Sequence, residues 1–267
     1  MFQFENKFLR VEFAPESGGF PSRIAVKAPD GEIMLLPGGK ESSLAIGLGN
    51  GKTLHPVLPE GYKPDEYALE ECRRIQFDRI PFADQYGEKE KDFFLTVRYE
   101  FWDDGTVFAT SYFVCEKYMT DFSITSCRFQ FDLDFSTFQR IGTPFGTQAD
   151  MASSGNGTVL KDWKQDSIRT NFNFFCKRAD GLGVYAELFM EDGLSTDREE
   201  THKCTEFFWR EKKARVLWNF QSCEAAPDKR FEWAQLNSWG FLFRAAPQER
   251  RNPPLRMYHY IDNYENR

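Results

Sequence analysis

Between Asp92 and Phe135 the chain writes three successive β-strands, and no other stretch constrains the fold as tightly. Phe93, Leu95, Val97, Tyr99 and Phe101 are apolar at a spacing of two, with polar Thr96, Arg98 and Glu100 between them. Successive strand side chains point to opposite faces of a sheet, so the pattern specifies a half-buried strand and excludes a helix. Asp103-Asp104-Gly105 supplies turn chemistry, and a second strand, Thr106 to Cys115, returns directly. A third, Phe122 to Phe135, sends Cys127, Phe129, Phe131, Leu133 and Phe135 to one face. Arg128, Gln130, Asp132 and Asp134 go to the other.

The two-residue period recurs elsewhere. Leu9, Val11 and Phe13 share a face, as do Ile24 and Val26, and then Leu44, Ile46 and Leu48. Gly18-Gly19 and Pro29-Asp30-Gly31 mark turns. Gly49 to Lys63, rich in Gly and Pro, reads as a loop. Tyr67 to Phe82 reads as one long strand whose inward set changes parity, from Ile75 and Phe77 to Ile80 and Phe82. A change of parity requires an extra residue, which predicts a bulge near Asp78. A second slip falls near Thr125-Ser126. Ser136 to Asp166 lacks periodicity and reads as a long loop. Beyond it, Phe172 to Cys176, Leu182 to Met190, Thr205 to Trp209, Ala214 to Phe220 and Trp239 to Phe243 alternate again. Short helices are expected within Ser195–Lys203 and Ala225–Leu236. More than ten strands with few short helices specify an all-β fold of two large antiparallel sheets packed face to face, spanning residues 1–250.

Composition narrows the function. The 28 Phe, 10 Tyr and 6 Trp suit an aromatic core between sheets. With 34 Lys and Arg against 41 Asp and Glu, the net charge of −7 offers no basic field for nucleic acid. No apolar run approaches the about 20 residues that span a bilayer, so no membrane is expected. The N-terminus lacks the marks of a signal peptide, which fits a soluble cytoplasmic protein, or a secreted one whose leader has been removed. The six cysteines are scattered without a C-x-x-C pair and read as buried, reduced thiols. No metal or cofactor is expected. There is no nucleophile elbow, phosphate loop or H-E-x-x-H.

Some side chains could carry binding. Tyr185 and Glu187 lie on the polar face of their strand, where an aromatic–carboxylate row can stack on a sugar ring and accept its hydroxyls. A plain solvent face explains the same row. Trp102, Trp163, Trp209, Trp218, Trp233 and Trp239 are candidate stacking surfaces. Trp163 sits among Lys161, Asp162, Lys164 and Gln165, surroundings that core packing does not explain. Trp209 stands near a strand end, whereas Trp218 is in phase with core residues. Asp132 and Asp134 could hold calcium or act as acid and base, but an exposed sheet face accounts for them better.

The segment Asn6 to Phe13, the Gly18-Gly19 turn, Ile24 and Asp30-Gly31-Glu32 resemble the opening of galactose-mutarotase-like supersandwich domains. The resemblance implies carbohydrate binding on a broad concave sheet. Such domains occur as free-standing sugar epimerases and attached to glycoside hydrolases and polysaccharide lyases. Aldose epimerases use two histidines and a carboxylate, the first histidine in an Asn-x-x-His-Gly-type segment. Here His55 is followed by Pro56, and His202 lies in Glu199-Glu200-Thr201-His202, so no catalytic residue carries over. The resemblance therefore implies, as the expected role, a non-catalytic carbohydrate-binding or scaffolding domain of a glycoside-hydrolase-like protein. Trp163, Tyr185, Glu187, Trp209, His55 and His202 are its candidate contacts. The alternatives are an epimerase or lyase with an atypical acid–base pair, or an interdomain assembly module. Arg251 to Asp262 is similar to the junction where a supersandwich hands over to a (β/α)-barrel, so residues 251–267 are read as the start of a missing barrel partner.

Overall fold

Two antiparallel sheets form, as the periodicity predicts, but they are unequal. The computed structural model describes residues 1–38, 42–115, 124–134, 136–138, 140–142, 148–150, 159–161, 169–191, 204–210, 213–220, 233–235 and 238–246. The small sheet is a meander of β1 (Phe2–Glu5), β2 (Leu9–Phe13), β3 (Arg23–Ala28) and β4 (Gly31–Leu36). Leu9 pairs with Val26 and Val11 with Ile24, which places four fully buried side chains in adjoining rows. The helical content of the described residues is one 3-10 turn, Pro15–Ser17.

The large sheet has sixteen strands. In chain order they begin with β5 (Ser42–Leu48), β6 (Thr53–Pro56), β7 (Asp65–Ala68), β8 (Cys72–Asp84), β9 (Lys89–Trp102), β10 (Thr106–Cys115) and β11 (Ile124–Asp134). Then come β12 (Arg140–Gly142), β13 (Gln148–Asp150), β14 (Val159–Lys161), β15 (Arg169–Lys177) and β16 (Gly183–Glu191). The last are β17 (Cys204–Arg210), β18 (Lys213–Phe220), β19 (Trp233–Gln235) and β20 (Ser238–Ala246). Their spatial order is β13-β12-β15-β16-β20-β10-β9-β8-β6-β5-β11-β18-β17-β14, with β19 beside β10 and β7 beside β8.

This sheet folds over on itself. Trp239 of β20 and Phe129 of β11 stand six strand steps apart along it. Flat, that is roughly 29 Å at about 4.8 Å per step. Their ring centroids lie 4.6 Å apart. Phe20, from the connection between β2 and β3, fills the fold, 4.4 Å from the Phe129 ring and 5.9 Å from that of Trp239. The small sheet closes the core with Phe4 stacked on Phe101 and Phe13 against Phe77 and Tyr99. Trp239 is therefore a core residue and not a stacking surface, with no exposure at all.

The Gly18-Gly19 turn is pressed into this core. Both residues have positive φ, 60° and 84°. A Cβ on Gly18 would stand 2.3 Å from the Pro56 carbonyl oxygen, and one on Gly19 would stand 2.6 Å from the Ile80 side chain. The buried Tyr99 hydroxyl donates to the Gly19 carbonyl at 2.9 Å.

Both predicted bulges are present. The β8–β9 register shifts between Phe77 and Ile80, and the β11–β5 register shifts between Ile124 and Ser126. Some expectations are corrected. Tyr67–Phe82 is two strands, β7 and β8, joined by a turn that Leu69 closes onto Cys72. Thr53–Pro56 forms β6 inside the stretch expected to be a loop. Short strands β12, β13 and β14 lie within Ser136–Asp166. Trp233–Gln235 of the expected second helix is strand, paired to β10. The first expected helix, residues 195–203, and the C-terminal extension, residues 251–267, lie outside the described residues. Among the described residues no helix is long and apolar enough to cross a membrane.

Candidate functional site

The face of β8, β9 and β10 turned away from the core concentrates polar chemistry. Val97, Tyr99 and Phe101 are buried in the core, so Thr96, Arg98 and Glu100 face the other way. Cross-strand register then builds rows. Gln76, Arg98 and Thr110 form one, Arg74, Glu100 and Phe108 the next, and Thr96 stands beside Tyr112.

Glu100 is only 2% exposed. A carboxylate so far from water needs a counter-charge, and Arg74 supplies it through Nε at 3.2 Å and Nη2 at 2.8 Å, both donating to Oε1. At the adjoining bulge, the Thr96 hydroxyl donates to Asp78 Oδ1 at 2.6 Å and accepts the Arg79 N–H at 3.3 Å. The Tyr62 hydroxyl donates to the Asp78 carbonyl at 2.7 Å and accepts that residue's N–H. Burial pushes the Tyr62 phenol above its ordinary pKa. Arg79 takes the left-handed conformation, φ 52°, and its guanidinium lies 4.4 Å over the Phe94 ring.

Arg98 is different. It is half-buried, and its Nε is enclosed without a hydrogen-bond partner among the described residues. The arrangement sets a guanidinium, an amide and the largely buried Thr110 hydroxyl in one cross-strand row, groups that hydrogen-bond a polyhydroxylated ring. It offers no evident general base, because Glu100 is held by Arg74 and Asp78 by Thr96.

The sequence-derived candidates are dispersed. His55 lies on β6, with Nδ1 3.0 Å from the Leu44 carbonyl oxygen of β5. No carboxylate among the described residues pairs with it, so its ring braces two strands. Tyr185 and Glu187 lie on β16, opposite Arg244 and Leu242 of β20. Arg244 is already engaged, 4.1 Å over the Phe8 ring and donating to the Asp104 carbonyl at 2.9 Å. Trp209 lies on β17, opposite Ala214 of β18. β16 stands five steps from β6 along the sheet, so His55 and Tyr185 do not share a cluster by strand adjacency. Trp163 and His202 lie outside the described residues.

Asp132 accepts from Gln130 Nε2 at 3.0 Å, and Asp134 accepts the Ser136 N–H at 2.8 Å. Among the described residues no group of three or more His, Cys, Asp or Glu side chains could hold a metal ion. Cys72, Cys127 and Cys176 are buried. Burial pushes the Cys176 thiol well above its ordinary range and raises that of Cys72.

Arg74, Gln76, Arg98 and Thr110 were not singled out by sequence, because alternation alone makes them ordinary solvent-facing positions. The usable signal is cross-strand: an Arg–Gln pair on one strand set against an Arg–Glu pair on the next, legible only once register is known.

No protein-family profile and no curated protein matches the chain. Its structure is similar to that of the α-N-acetylgalactosaminidase NagBb from Bifidobacterium bifidum in complex with GalNAc, at a TM-score of 0.52 and 9% identity. That match covers 91% of this chain and 36% of the other, so the chain spans about a third of the glycosidase's length. A looser likeness, TM-score 0.40 and 11% identity, is to a GalM/aldose epimerase homologue from C. elegans, covering 89% of this chain and 96% of that one. At 9% identity the likeness to the glycosidase is one of fold, and the fold is an all-β sandwich of two antiparallel sheets, as the strand periodicity led us to expect.

Proposed function

We propose that this chain is a non-catalytic, carbohydrate-recognising supersandwich domain of a glycoside-hydrolase-type protein, with the β8–β9–β10 face as its recognition surface. The observation that carries the reading is the row Gln76, Arg98 and Thr110 on a rigid sheet, backed by the buried Arg74–Glu100 pair. Strands hold such groups more accurately than loops do, and Tyr112 beside them adds an aromatic ring for stacking. The fold shared with part of a glycosidase supports the carbohydrate class. The engagement of His55 by a backbone carbonyl supports the non-catalytic part.

Isothermal titration against a glycan panel tests binding. At least one glycan should give heat that the double variant Gln76→Ala/Thr110→Ala removes, and uniformly flat traces would end the proposal. Polarimetry with aldoses tests catalysis. Mutarotation no faster than in buffer is expected, and an acceleration abolished by His55→Ala would establish the epimerase alternative. A scaffolding role draws support from Tyr67 and Leu69, exposed at the edge strand β7 and the turn after it, an apolar site for a neighbouring domain.

A further inference from the structure

We infer that the glycan taken by this face is an acidic one, and that Arg98 is the residue that reads its carboxylate. The inference rests on the carbohydrate reading above and adds the charge of the ligand. The ionic groups around Arg98 are otherwise committed. Arg74 and Glu100 hold each other at 2.8 Å. Asp78 takes the Thr96 hydroxyl, and Arg79 lies over Phe94.

Among the described residues the Arg98 side chain makes no hydrogen bond or ion pair, although its Nε is enclosed and Glu100 stands two residues along the same strand face. An enclosed donor without an acceptor is destabilising, and folded proteins keep few of them. A ligand that covers the guanidinium removes still more water from it, and a covered charge needs an opposite one. A carboxylate meets the planar guanidinium fork with two parallel hydrogen bonds, which a neutral hydroxyl cannot do. Gln76, Thr110 and Tyr112 flank it, and their side chains have no hydrogen-bond partner among the described residues; Gln76 and Tyr112 are half-buried and can meet ring hydroxyls, with the largely buried Thr110 behind them. The site therefore matches a uronate-type sugar, with its carboxylate on Arg98 and its ring across the neighbouring row. The net charge of −7 gives an anion no long-range attraction, so recognition is a short-range contact that salt weakens only modestly.

The test titrates the full chain with the α-1,4-linked trimer of galacturonate, with its fully methyl-esterified form and with sodium acetate. The wild type should bind the acid trimer more tightly than the ester, and acetate far more weakly than either. Arg98→Ala should weaken the acid trimer at least about tenfold and leave the ester unchanged. Arg98→Lys, which keeps the charge and loses the fork, should fall between, and it serves as the reference should Arg98→Ala fail to melt cooperatively. Equal binding of acid and ester, or equal losses for both in the variant, would overturn the inference while leaving carbohydrate recognition standing. Acetate bound as tightly as the trimer would also overturn it, by reducing the site to a simple carboxylate trap. Silence with both trimers would remove the inference, and silence across the wider glycan panel the reading beneath it.

Discussion

Tyr99 joins the edge of the core to its centre. Its hydroxyl satisfies the Gly19 carbonyl, and burial raises the phenol's pKa well above the ordinary value. Tyr99→Phe strands that carbonyl in the core and should cost about 1–3 kcal/mol in urea unfolding, with the slope of the transition unchanged. Gly18→Ala should cost more, because its Cβ meets backbone at 2.3 Å and the φ of 60° disfavours any side chain. That Tyr99 points inward is legible from its place among Phe93, Leu95, Val97 and Phe101. Its partner, eighty residues away, is not, since no local pattern records a long-range hydrogen bond. Glu100 shows the opposite limit. Alternation marks it as wet, yet it is almost wholly enclosed, because burial on a sheet depends on neighbours across the strands.

At the scale of the element, the bulge at Asp78-Arg79 keeps β8 in phase with its two halves of core. Ile75 and Phe77 precede it, Ile80 and Phe82 follow it, and all four are fully buried. Deleting Asp78 would leave Ile80 two residues from Phe77, in phase without a bulge, so the variant is expected to keep cooperative thermal unfolding, at a midpoint lowered by the lost Tyr62 and Thr96 hydrogen bonds. Tyr62→Phe, which leaves the Asp78 N–H without its acceptor, is expected to be milder, about 1–3 kcal/mol. Both bulges were legible because parity is a property of the strand itself. The strands β6, β12, β13 and β14 were not. Three or four residues are too few to show a period, and such strands exist because a neighbour supplies their hydrogen bonds.

At the scale of the molecule, an ion pair ties the two layers at their rim. Arg178, in the turn between β15 and β16, reaches Asp30 in the turn between β3 and β4 at 2.7 Å. The Arg178 guanidinium holds the Asp30 carboxyl below its ordinary pKa, and Lys27 does the same for Glu5. A depressed native value stabilises the fold fully above the unfolded pKa of about 4 and less as pH falls through the native one. Arg178→Gln should therefore flatten the loss of stability below about pH 4, measured by urea midpoints across pH. Cys176, wholly buried with its thiol pKa raised, should resist alkylation until global unfolding, which peptide mapping of the labelled chain would report. The all-β, two-sheet character was legible from periodicity, but the doubling-over of one sheet was not, because period fixes which face is dry and says nothing of which distant strand covers it. That closure has a consequence for biosynthesis. The indole that completes the nest of Phe20, Tyr99 and Phe129 is made more than a hundred residues after the last of them. On the ribosome, the aromatic half-core must wait open until Trp239 emerges, a window in which a holdase chaperone has a ready client.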